Sequence, residues 1–242
     1  RMSDPNPAAV DREFDRSLAI VDPLPDDRNL TAPYSMAGTW YRLRGDRAAP
    51  GQGAAFYRRA VELLERGRRL DRINVEAVRR LNQAHGKPVG YWSAWPAVYL
   101  ELGRAYLRVS APGKALEPLT YGRLVTREAV YSEELANAWR ALGDRRQAAV
   151  ALFEGYALDP NSRVFLTELS ALYKQIDPAG CAVRSVGERS ALDLHCPMVH
   201  DDLCAASRNV ARLYREVGMT DAAADLKSTA TGTSGCPADL FQ

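Results

Sequence analysis

Lysine is scarce in this chain of 242 residues: it occurs only at Lys87, Lys114, Lys174 and Lys227, so arginine carries nearly all of the basic charge. The formal net charge is only +2, which removes the strong global field expected of a nucleic-acid binder. No run approaches the ~18 uninterrupted apolar residues of a membrane-spanning helix. No signal-peptide pattern opens the chain, and the Arg1-Met2 start reads as a processing or cleavage boundary. Catalytic signatures are also missing. There is no nucleophile motif, no phosphate-binding loop and no paired-carboxylate pattern; Gly51-Gln52-Gly53 lacks the third glycine and the preceding strand of a nucleotide fingerprint. None of the four cysteines forms a CxxC pair or a CxxCH haem attachment site.

What is present is helical periodicity. Hydrophobic residues make up 46% and charged residues 26%, the balance of a folded globular chain. In the stretch from Tyr131 to Asn161, Leu135, Ala136 and Trp139 share one helix face and Gly143-Asp144 breaks that helix. Ala148, Leu152 and Gly155 line a second helix, which Asp159-Pro160 ends because proline cannot continue the hydrogen-bond ladder. Such a pair cannot bury its apolar stripe alone and needs neighbours built the same way.

Those neighbours are visible. The small residue of one helix precedes an alanine of the next by 12 positions in Gly103/Ala115, Ala136/Ala148, Ser170/Ala182 and Ala211/Ala223. An earlier pair reads as a helix from a Thr31 cap through Tyr34, Ala37, Gly38 and Tyr41, a long Arg47–Gly53 loop, and a helix from Ala54 to Asp71 with Ala60, Leu64 and Gly67 on its packed face. Asn74–His85 reads as a separate amphipathic helix ended by Gly86-Lys87-Pro88. The aromatic run Tyr91-Trp92-Ser93-Ala94-Trp95 after it is expected to fill a gap in the core rather than anchor an interface. At the start, Val10, Phe14, Leu18 and Val21 give one amphipathic helix without a partner before it.

Through Tyr99, Leu102, Gly103, Tyr106, Ala115 and Leu119, and again through Leu135, Ala136, Trp139, Ala148, Leu152 and Pro160, the chain resembles the tetratricopeptide repeat family. The resemblance implies an all-α fold, a right-handed superhelical solenoid of helix–turn–helix pairs with a concave face. It divides a single domain, residues 1–242, into a half-repeat helix at 8–22, a divergent repeat at 30–74, an inserted helix and aromatic loop at 75–95, repeats at 96–128, 129–161 and 162–194, and a cysteine-containing terminal cap at 195–242.

No catalytic residue comes with that family; a binding groove does. Its lining positions lie just after the small residue of each first helix, and four or five beyond it. Here they supply Arg42, Arg104, Arg108, Asn137, Arg140, Lys174, Arg208, Arg212 and Arg215, against Glu133 and Glu216. Guanidinium forks match carboxylates, so the implied partner is a protein or peptide with an acidic segment or a free C-terminus. The competing reading is that these arginines pair with acids on neighbouring helices and only solvate a surface. The groove lacks interleaved aromatics, which argues against nucleic acid.

Cys181, Cys196, Cys204 and Cys236 all fall in the last quarter. An even, clustered set suits two disulfides and an oxidising compartment, against the alternative of four buried thiols. With the repeat order in place, Cys204 opens the first cap helix and Cys236 follows the second, so the expected pairs are Cys204–Cys236 and Cys181–Cys196. His195, Cys196, His200 and Cys204 could instead face a metal, but Pro197 takes Cys196 out of the helix and the spacing matches no closed zinc module; no metal and no cofactor are expected. The leading expectation is a non-enzymatic binding scaffold, exported to a bacterial periplasm or outside the cell and part of a larger assembly. The alternatives are the soluble portion of a membrane enzyme such as a glycosyltransferase, and a metal-binding protein built on the cysteine–histidine cluster.

Overall fold

The computed structural model describes residues 6–26, 30–87, 90–177, 184–186, 189–193, 195–216 and 218–242. These residues are helical apart from one short hairpin and the connecting loops. The chain divides into two compact units, Arg1–Lys114 and Ala115–Gln242.

The first unit contains α1 (Pro7–Val21), α2 (Thr31–Arg47), α3 (Ala54–Ala84) and α4 (Ala97–Arg108). Asn6 caps α1, its side chain accepting from the Ala8 N–H, and Pro7 fits the first turn, where no intrahelical donor is needed. Thr31 is not a cap. It is already helical, and its buried hydroxyl has no hydrogen-bond partner among the described residues. Helices α2 and α3 approach closely because Gly38 leaves room for Leu64; a Cβ on Gly38 would overlap that side chain. Leu18, Val21, Tyr34, Ala37, Leu63 and Leu70 form a buried cluster, with Phe14 and Tyr41 packed against it.

Helix α3 corrects one expectation. It runs unbroken for 31 residues, so the expected helices ending at Asp71 and beginning at Asn74 are one element. The intervening Asp71-Arg72-Ile73-Asn74 holds neither glycine nor proline, and nothing local interrupts the ladder. Asp71 itself is fully buried. Its Oδ1 accepts from the Ala94 and Trp95 N–H groups, and its Oδ2 from the Tyr99 hydroxyl, which ties the aromatic loop and α4 to α3.

The second unit holds the rest of α5 (Pro112–Thr126), then α6 (Ala129–Ala141), α7 (Arg145–Leu158), α8 (Arg163–Ile176), a hairpin of β1 (Arg184–Val186) and β2 (Arg189–Ala191), α9 (Pro197–Glu216), α10 (Thr220–Gly232) and a terminal 3-10 turn, Ala238–Phe241. Gly122 faces the Tyr131 ring and Gly155 the Phe165 ring so closely that a Cβ would overlap either one. Each missing side chain thus admits an aromatic of the following helix. The α6–α7 turn uses Gly143 at φ +83°, with Asp144 capping α7 through the Gln147 N–H. The hairpin is the second correction. A repeat's second helix was expected through Ala182 and Val186, yet Val186 lies in β1 and pairs antiparallel with Arg189; Ala182 lies outside the described residues.

Candidate functional site

The expected groove positions divide by unit. In the first, Arg42 is buried at 8% exposure. Its guanidinium contacts Asp46 one turn on and Glu101 of α4. Arg104 pairs with the same Glu101 at 3.0 Å, and Arg108 with the same Asp46 at 2.8 Å. Three guanidinium groups therefore share two carboxylates. A buried cation so held is part of the packing, because removing either carboxylate strands the charge in a low-dielectric interior.

In the second unit, Asn137 donates to Glu134 and accepts from Arg140, each at 3.3 Å, and Arg140 also contacts Glu168 of α8. A register emerges. The cation four residues after a small slot meets the acid two residues before the small slot of the next first helix: Arg42 (after Gly38) with Glu101 (before Gly103), and Arg140 (after Ala136) with Glu168 (before Ser170). For Lys174, after Ser170, the corresponding position before Ala211 is Asn209. Asn209 brings no charge and donates instead to Glu154 at 2.7 Å. Lys174 is exposed, with no ion-pair partner among the described residues.

Beyond it, Arg208, Arg212 and Arg215 recur at i, i+4 and i+7 along α9 and are all exposed. Arg212 reaches Glu216 only at 3.8 Å, and Arg215 donates to the Phe241 carbonyl at 3.3 Å. Beneath this stripe, Arg123 contacts the buried Glu154. Burial, and then the field of Arg212, lowers Arg123 to about 10, so it stays charged at neutral pH.

The sequence does not mark Asp71, Glu154 and Asp202 as buried carboxylates by any motif, although a signal for two of them exists. Asp71 continues the Ala60, Leu64, Gly67 stripe by four residues, and Asp202 falls between Val199 and Ala206 on the buried face of α9. An acid on an apolar stripe marks a buried partner for several donors. Asp202 has Tyr173 at 2.7 Å and Arg146 at 2.6 Å.

In the aromatic loop, Tyr91 and Trp92 border a recess of about 180 Å³ beside Val75 and Val78 of α3. They remain 39% exposed, so they sit at an edge instead of filling the core as expected.

Cys204 and Cys236 form a disulfide across 32 residues, closing α9 onto the chain after α10. Cys196 is also disulfide-bonded; its expected partner, Cys181, lies outside the described residues. His195 is fully exposed and is not among the clustered ligand atoms of His200, Cys204 and Cys236, while His200 lies against the Cys204 sulfur at 3.7 Å.

No family model matches the chain, and no curated protein matches it. Among solved structures, it is similar to the crystal structure of MamA protein, at 18% identity over 85% of this chain and 92% of that one, with a TM-score of 0.43.

Proposed function

We propose that the chain is a non-enzymatic, tetratricopeptide-like solenoid scaffold that binds an acidic segment of a partner protein along α8 and α9. The observation that carries this reading is the break in the charge register. Where Arg42 and Arg140 meet an acid of the following helix, Lys174 meets Asn209, and Arg208, Arg212 and Arg215 continue the basic surface along α9. Arg42, Arg104, Arg108, Asn137 and Arg140 are engaged by neighbouring side chains, so the groove of nine residues narrows to four: Lys174, Arg208, Arg212 and Arg215. An extended acidic peptide or a free C-terminal carboxylate can take up such exposed donors in bidentate contacts. The disulfides support export to an oxidising compartment, which belongs to the same proposal.

The test is fluorescence anisotropy with a labelled glutamate-rich peptide. Binding that weakens with added salt, and that Arg208→Glu with Arg212→Glu abolishes, supports the reading. Arg79→Glu with Arg80→Glu, on the exposed end of α3, is the control and leaves binding intact. Equal binding by the α9 and α3 variants would remove α9 from the proposal.

A further inference from the structure

The second unit ends in a cluster with a chemistry that scaffold binding does not use. His200 and Cys204 lie one turn apart on α9, on the same helix face. The disulfide brings Cys236 to the same point, and the ligand atoms of all three residues lie within 4.8 Å of one another. The His200 Nε2 is 3.7 Å from the Cys204 Sγ. With metal–sulfur bonds of about 2.3 Å and metal–nitrogen bonds of about 2.0 Å, adjacent ligand atoms on a tetrahedral zinc stand roughly 3.5–3.8 Å apart. The imidazole is therefore already at ligand spacing from one sulfur.

We infer that reduction of the Cys204–Cys236 disulfide turns this cap into a binding site for a thiophilic divalent cation, Zn²⁺ being the best match, with Cys204, Cys236 and His200 as its protein ligands. The sulfurs are buried, at 2% and 4% exposure, and the His200 side chain is 29% exposed, so the ion enters past the imidazole. Gly235 lies beside that entry, where a built Cβ would stand at ordinary van der Waals distance, 3.8 Å, from the His200 Nε2. Nδ1 of the same ring lies 3.9 Å from the Cys204 Sγ and 3.8 Å from the Asp201 carboxylate, too far for a hydrogen bond that would fix the tautomer, so either ring nitrogen can serve as the ligand.

The step balances with an external thiol as reductant. Two thiols reduce the disulfide, giving Cys204 and Cys236 as thiols and one molecule of the reductant's disulfide. Zn²⁺ then displaces one proton from each cysteine, and two protons leave to solvent. The two thiolates neutralise the ion, neutral His200 adds a lone pair, and water completes four-coordination. One covalent staple is exchanged for a coordinate one, so the cap stays closed in either redox state while the cation reports which state it is in.

The experiment uses the full chain reduced with a non-coordinating phosphine and titrated with Co²⁺, which stands in for Zn²⁺ and is visible by absorption. The expected result is one Co²⁺ per chain with thiolate-to-cobalt charge-transfer absorption, displaced by Zn²⁺, and no such absorption from the unreduced chain. Cys204→Ser with Cys236→Ser abolishes the band, Cys181→Ser with Cys196→Ser keeps it, and His200→Ala weakens Co²⁺ binding at least ten-fold. A band that survives in the Cys204/Cys236 variant places the metal elsewhere and overturns the inference. So does undiminished binding by His200→Ala. Circular dichroism on the reduced wild type separates the remaining outcomes: no band from a chain that keeps its helices overturns the site, and loss of the helices on reduction, with no recovery on adding Zn²⁺, overturns it equally.

Discussion

The Tyr173 hydroxyl donates to the Asp202 carboxylate across 2.7 Å in the interior of the second unit, joining α8 to α9. Tyr99 makes the same bond to Asp71 across 2.8 Å in the first unit, joining α4 to α3. In both, an acid on a long helix receives a tyrosine from another helix, together with further donors: Arg146 for Asp202, and the Ala94 and Trp95 N–H groups for Asp71. Buried carboxylates are costly unless fully hydrogen-bonded, and here they act as shared anchors for elements distant in sequence.

Replacing Asp202 with asparagine keeps the volume and removes the charge. The Tyr173 hydroxyl then faces a weaker acceptor, and Arg146 loses its carboxylate. A loss of about 2 kcal/mol in chemical denaturation is expected, because hydrogen bonds to a charged group exceed neutral ones. Arg146→Gln gives the contrast. Its side chain is 49% exposed and rehydrates when unpaired, so the loss stays below about 1 kcal/mol. Equal losses from the two variants would mean that the Arg146 contact, not the tyrosine bond, carries the anchor.

The same bond predicts a response to alkali. Burial, and then the hydrogen bond to Asp202, raises the Tyr173 hydroxyl above its ordinary value of 10.0. A group whose pKa is raised on folding contributes stability that is complete below its unfolded value and is lost as pH climbs above it, since the unfolded chain then sheds the proton first. Above pH 10 the unfolding free energy should fall by up to about 1.4 kcal/mol per pH unit through this group. Tyr173→Phe should remove that component and leave the smaller ones from Tyr41 and Tyr57, whose hydroxyls are also raised by burial. Denaturation curves at a series of alkaline pH values check it; parallel slopes in the variant and the parent would refute the assignment.

The parts of the fold that were legible in the sequence are the local ones. Helix stops at Gly143-Asp144 and Gly218, small residues at Gly38, Ala136 and Gly155, and the Cys204–Cys236 closure all follow from neighbouring residues or helix order. The repeat pattern misled where it was imposed on contrary local signals. It divided α3 at Asp71–Asn74, where no residue breaks a helix, and it placed a second helix through Ala182 and Val186, in a segment bounded by Gly180 and Gly187. The charge partners were hidden for a different reason. Arg42 and Glu101 are separated by 59 residues and Arg140 and Glu168 by 28, and only the packing of successive helices brings them together. A tally of groove cations counts Arg42 as available when its contacts are already made.

Two turns with the same job use different residues. After α6 the left-handed position is Gly143, at φ +83°; after α4 it is Ser110, at φ +55°. In both, a backbone N–H one residue further on reaches back to a helix carbonyl, Asp144 to Trp139 and Ala111 to Tyr106. Serine is disfavoured there because its Cβ crowds the backbone, and glycine is not. Ser110→Gly should therefore stabilise the first unit by about 0.5–1 kcal/mol, the reverse of what glycine does inside a helix. Thermal melts of the variant and the parent measure it, and a lowered midpoint would mean that the Ser110 side chain has a compensating role.

Glycine to alanine gives opposite signs at two helical positions. Gly113, in the first turn of α5, has nothing within 4 Å of a built Cβ and no positive φ. Alanine there gains helix propensity and loses nothing, so a stabilisation of up to about 1 kcal/mol is expected. Gly155 would gain the same propensity, but its Cβ would overlap the Phe165 ring, which is 3% exposed and has no open space to move into. Overpacking of this kind costs about 1–3 kcal/mol, so Gly155→Ala should be a net loss. The double variant Gly155→Ala with Phe165→Leu separates the two causes. If ring overlap is responsible, adding Gly155→Ala to the Phe165→Leu background costs less than adding it to the parent, and the coupling appears as a non-additive term. If the cost of Gly155→Ala is the same in both backgrounds, the close approach of α7 to α8 does not depend on that ring, and the pairing of glycine with the next helix's aromatic, seen again at Gly122 and Tyr131, does not set the spacing of successive helices.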